Sequence, residues 1–89
     1  MALAADDNIR MSRTDIGGRQ IEIVESATTR WLFEPAERRF LRLPRGTALD
    51  VSVLAMPWQP YVDRRPADDG RGVVVTLVSG GLLRLNSAP

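Results

Sequence analysis

Two glycine pairs, Gly17-Gly18 and Gly80-Gly81, each stand between short strand-like runs, those around the first mixing apolar and polar residues and Val73 to Val78 before the second apolar but for Thr76. Adjacent glycines supply the positive φ angles of a two-residue hairpin loop, and period-two alternation is the pattern of a strand with one face buried. A two-residue loop over Gly17-Gly18 sets the register of its arms, Ile9 to Ile16 and Arg19 to Glu25. Arg13 then stands opposite Glu22 and Arg10 opposite Glu25, while Met11 meets Val24 and Thr14 meets Ile21. Opposite charges directly across a ladder agree with that pairing.

The rest of the chain repeats the pattern. Thr28 to Phe33 is rich in β-branched and aromatic residues, Pro35 sits where a type I turn favours proline, and Arg39 to Leu43 returns. Leu49 to Met56 alternates Leu49, Val51, Val53 and Ala55 with Ala48, Asp50, Ser52 and Leu54 and reads as a further strand. Pro57 and Pro60 end it, because two prolines so close do not fit a central strand. From there to Gly72 the spacing predicts a loop, with a short 3₁₀ or α turn inside 57–68. Val73 to Val78 and Leu82 to Asn86 form the last hairpin. A two-residue loop there places Val78 against Leu83 and Thr76 against Leu85, and turns Val75 and Leu77 to the opposite face. The expectation is an all-β domain of about six short strands, a small antiparallel barrel or sandwich with an SH3-like roll as one member of the class. It spans residues 9–87 behind a disordered tail at residues 1–8. A mainly helical fold is the runner-up, since short apolar runs are ambiguous.

Composition narrows function more than fold. The formal charge of +1 rests on 12 basic residues, all arginine, against 11 acidic ones, and the chain has no lysine, histidine or cysteine. That removes the imidazole, thiolate and amine used in most nucleophilic and acid–base catalysis, and the usual zinc ligands. No enzyme activity, cofactor or metal is expected. Met1 to Asn8 carries no basic start and no long apolar run, so neither a secretory signal nor a membrane span is expected and the protein reads as cytoplasmic. Without disulfides, an 89-residue chain must draw stability from packing, a partner or self-association.

Two segments could bind. Arg30, Arg38, Arg39, Arg42 and Arg45 share a stretch with Trp31, Phe33 and Phe40, and residues 30–46 carry +3 where residues 1–29 carry −2. Arginine among aromatics is the composition of a nucleic-acid platform, and equally of a solvated hairpin over a core, with Glu34 and Glu37 as partners. Trp58 and Tyr61, next to Pro57 and Pro60, could form a rigid binding shelf or plug the end of the sheet. Val73, Val75 and Leu77 belong to a strand apolar on both faces, and the register above leaves Val75 and Leu77 short of cover, so they are the expected contact of a homodimer.

The stretch Ser26-Ala27-Thr28-Thr29-Arg30-Trp31-Leu32-Phe33-Glu34, followed by Arg38-Arg39 and Leu43, with Trp58-x-Pro60-Tyr61 further on, resembles small uncharacterised β-rich proteins of actinobacteria and their phages. The resemblance implies a β-rich fold and a GC-rich bacterial source, and carries no activity or site. The expected function is a non-enzymatic interaction module, binding itself or a protein partner. The alternative is a nucleic-acid-binding small β-barrel using the arginine hairpin.

Overall fold

The computed structural model describes residues 4–6, 9–68 and 70–87. It is all-β, with strands β1 (Ala4–Asp6), β2 (Arg10–Ile16), β3 (Arg19–Glu25), β4 (Thr29–Glu34), β5 (Arg39–Pro44), β6 (Gln59–Pro66), β7 (Gly72–Leu77) and β8 (Leu82–Ser87). They form one sheet of order β1-β8-β7-β6-β5-β4-β3-β2. β2 to β8 are an antiparallel meander, and β1 runs parallel to β8. The expected barrel does not close, because β2 ends the sheet on one side and β1 on the other. Of the tail expected at residues 1–8, Ala4–Asp6 is a strand, and residues 1–3 and 7–8 lie outside the described residues.

The first hairpin takes the register its glycines dictate, with Arg13 against Glu22, Arg10 against Glu25, Met11 against Val24 and Thr14 against Ile21. Gly17 and Gly18 have φ of 59° and 83°, both in the left-handed region that a type I′ loop requires. Between β4 and β5 the turn forms around Pro35, where Glu37 N–H donates to the Glu34 carbonyl at 3.2 Å. Arg38 closes that loop at φ 50°, a left-handed conformation that costs a side chain more than it costs glycine.

The sheet bends at its narrowest ladder. β5 and β6 share only the pairs Arg39 with Pro60 and Phe40 with Gln59, and a bulge follows between Tyr61 and Asp63. One face thus curls over on itself. Val24, Trp31, Phe33 and Phe40 from β3–β5 join Tyr61, Val73, Val75, Leu83 and Leu85 from β6–β8 in one buried cluster. Arg64 of β6 reaches Glu22 of β3, three strands away, and bonds its carboxylate; in a flat sheet those backbones would be about 14 Å apart. The other face of β2–β5 presents Ile16, Ile21, Ile23, Leu32, Leu41 and Leu43, and Val53 with its neighbours covers it.

Three expectations are corrected. Residues 49–56 are not a strand: Val51–Ala55 is a 3₁₀ turn capped by Asp50, whose carboxylate accepts from Ser52 N–H at 2.9 Å. Its period of three buries Val53, while Leu49, Leu54 and Met56 pack partly against the same cluster. Residues 59–66 are a central strand and not a loop. Pro60 is accommodated because it precedes the first β7 pair, Tyr61 with Leu77, so the sheet asks no bond of it on that side. In the last hairpin Thr76 pairs with Leu82, Val75 with Leu83 and Val73 with Leu85, and residues 78–81 connect the two strands. That three-residue shift exchanges the faces: Val75 is 0% exposed and Val78 62% exposed.

Candidate functional site

The β4–β5 hairpin does not assemble the arginine platform. Alternation along the strands sends Arg30 and Arg39 to the face of Leu32 and Leu41, and Arg42 to the face of Trp31. Arg30 is held by Glu25, Nε to Oε2 at 3.0 Å, and donates from Nη1 to the Thr47 carbonyl at 3.0 Å. Arg45 approaches the same Glu25 at 3.9 Å. Arg42 lies 5.4 Å from the Trp31 ring centroid, and Arg38 stands exposed in the turn.

Arg39 belongs to a tighter group. Its Nε donates to Glu34 Oε1 at 2.6 Å, and Arg19 Nη1 donates to Glu34 Oε2 at 2.9 Å. Glu34 is the one buried charged side chain among the described residues. Burial works against its ionisation, and the hydrogen bonds and charges of Arg19 and Arg39 outweigh that, leaving its carboxyl below the usual carboxylate range. Trp58 lies over the Arg39 guanidinium at 4.6 Å and donates from Nε1 to the Val53 carbonyl at 2.9 Å. Trp58 is thus a half-buried fastener of the 45–58 segment rather than an open shelf. Tyr61 is buried among Phe33 and Phe40, and burial foremost raises its phenol pKa.

Val73 and Val75 are buried in the core and Leu77 packs against it. The apolar contact expected of a homodimer at these residues is therefore used up inside one chain, as a consequence of the β7–β8 register.

The residues that sequence reasoning did not single out lie at the other side of the sheet. β2 pairs with β3 alone and has no neighbour on its outer side among the described residues. With a two-residue loop, Ile16 and Arg19 form a hydrogen-bonded pair, so the N–H and C=O of Arg10, Ser12, Thr14 and Ile16 face β3. Those of Met11, Arg13 and Asp15 then face outward. Met11 is 54% exposed. Arg13 stands opposite Glu22, yet Glu22 is taken by Arg64, whose guanidinium also lies 4.6 Å from the Phe33 ring. Arg64 Nε is buried without a partner, and its pKa is lowered by burial first and by Arg13 second. A depression of about 260 Å³ lies between Met11, Ser12, Arg13 and the Glu22–Arg64 pair.

Among the described residues, no helix is long and apolar enough to cross a membrane, and no group of three or more Asp or Glu side chains is placed to hold a metal ion. Comparison with protein-family models, with curated proteins and with solved structures gave no match, and the likeness to small actinobacterial and phage proteins is accordingly a proposal resting on the motif itself.

Proposed function

We propose that this chain is a small, non-enzymatic interaction module of the cytoplasm whose binding element is the outer edge of β2. The observation that carries the reading is the seven-residue edge strand, with outward backbone groups at Met11, Arg13 and Asp15 and a partly exposed Met11 beside them. An edge of that length accepts a further strand through main-chain bonds, while the side chains that flank it set the choice of partner. The arginines of the β4–β5 hairpin support the reading indirectly, since Arg30 and Arg39 are occupied by Glu25 and Glu34.

The test uses Arg13→Pro. Proline removes an outward N–H while leaving the β2–β3 ladder its bonds, so the chain folds and the edge is blocked. Affinity capture on the wild type is expected to retain proteins, copies of this chain included, that Arg13→Pro releases. Identical capture by both would overturn the reading. So would salt-sensitive binding to DNA or RNA that disappears in an Arg38→Ala/Arg39→Ala/Arg42→Ala variant, which belongs to the nucleic-acid alternative.

A further inference from the structure

We propose that β2 is an isologous docking edge for a second copy of this chain, with Thr14 facing Thr14 on the two-fold axis and Arg13 of each copy opposite Asp15 of the other. The inference rests on the reading of β2 as the binding edge and names its partner.

Symmetry restricts the register. A two-fold axis perpendicular to the sheet keeps like face with like, so the axis must pass through a residue of β2. At residue 13 it sets Arg13 against Arg13. At residue 12 it sets Met11 against Arg13 and gives Asp15 no cation. At residue 14 it sets Arg13 against Asp15 twice, Ser12 against Ile16, and Met11 against Gly17. The ladder phase agrees, because Arg13 and Asp15 carry the outward N–H and C=O groups, and the two Arg13–Asp15 pairs would exchange them. Thr14 would then form a non-hydrogen-bonded pair, where facing side chains are closest.

The chemistry of the edge is incomplete in one copy. Arg13 has no ion-pair partner among the described residues, since Arg64 holds the Glu22 that faces it. Asp15 is committed only in part: Oδ1 accepts from Gly18 N–H at 2.9 Å and Oδ2 from Gln20 Nε2 at 3.3 Å, and each oxygen keeps a second lone pair. The second copy's Asp15 supplies the carboxylate that Arg13 lacks. The same charges repel a copy docked one residue out of place, which makes the edge selective for its own sequence.

The chain contains no cysteine, so one introduced cysteine reports without background. Thr14→Cys places two thiols directly across the axis. Ser12→Cys places them four residues apart along the strand, about 14 Å, beyond the ~7 Å Cα separation a disulfide tolerates. Under mild oxidation Thr14→Cys is expected to form covalent dimer many-fold faster than Ser12→Cys, and the wild type to sediment at twice the chain mass at high micromolar concentration. Equal or reversed rates, or a monomer mass for the wild type, would overturn the proposal. A second pair of variants reads the charges: Arg13→Asp and Asp15→Arg, each folded by circular dichroism, should be monomers alone and a heterodimer when mixed, and failure to associate on mixing also overturns it. A monomeric chain whose capture of another protein is still abolished by Arg13→Pro would sink this inference and leave the edge reading standing.

Discussion

Glu34 is the point at which a single substitution should be felt farthest. Its side chain is 3% exposed and is shared by Arg19 and Arg39, which are 45% and 27% exposed. Through them it ties β3, the end of β4 and the start of β5 together, and through the Arg39–Trp58 contact it reaches the 45–58 segment. Removing one member of a fully buried pair costs about 3–5 kcal/mol, whereas an exposed pair contributes under about 1 kcal/mol. Here the acid is buried and both cations can rehydrate, so Glu34→Gln should fall between, at about 2 kcal/mol at pH 7. For a domain of this size that is a fall in Tm of roughly 10 °C. The pH dependence has a definite sign. Glu34 titrates below its ordinary value in the folded chain. Its contribution is therefore full above the unfolded carboxylate pKa of about 4.3 and is lost as pH falls through the lower folded value. Urea titrations of wild type and Glu34→Gln between pH 7 and pH 2.5 should show a gap that is widest near neutrality and shrinks below about pH 4. A gap under about 0.5 kcal/mol at pH 7, or one that stays constant into acid, would refute the reasoning.

The β7–β8 register makes a paired prediction: Val75→Ala should cost about 2 kcal/mol for two buried methyl groups, and Val78→Ala less than about 0.5 kcal/mol, measured by urea unfolding, with the order reversed if the two-residue loop were correct. At Gly17 an added Cβ would lie 3.1 Å from Leu54 Cδ1 and 3.3 Å from Val51 Cγ1 at φ 59°, whereas Gly18 has φ 83° and open space. Gly17→Ala should therefore destabilise by about 2 kcal/mol and Gly18→Ala by about 1 kcal/mol, the difference being the contact with the 3₁₀ turn.

The first hairpin was legible to the residue because both glycines of its loop take positive φ and the charges across the register agree. The last hairpin carries the same Gly80-Gly81 pair, yet only Gly80 takes positive φ, at 92°, and the loop widens to put Val73, Val75 and Leu77 toward the core. Burial of two valines outweighed the local preference of the turn. The alternation over Leu49 to Met56 misled because a five-residue 3₁₀ segment is too short to display its own period. Pro60 hid β6, since a proline is forbidden only where a partner asks for its N–H. At the candidate site, the arginine cluster was conspicuous in composition, but strand alternation divides it between two faces, a separation that a count of charges does not register. The Glu22–Arg64 pair joins residues 42 apart and depends on the curl of the sheet, which no local pattern encodes. The β2 edge was readable only in part: Arg13 and Asp15 were visible in the sequence, whereas the position of β2 at the end of the sheet comes from the order of all the other strands.

Amide hydrogen exchange followed by NMR at increasing protein concentration tests the β2 edge most directly. Ser12 and Thr14, whose N–H groups face β3, should be protected at every concentration, while Arg13 and Asp15 should exchange rapidly when dilute and gain protection together as a second copy docks. Rapid exchange of Arg13 and Asp15 up to the highest concentration, or protection that spreads to the chain as a whole without singling out those two residues, would contradict the account.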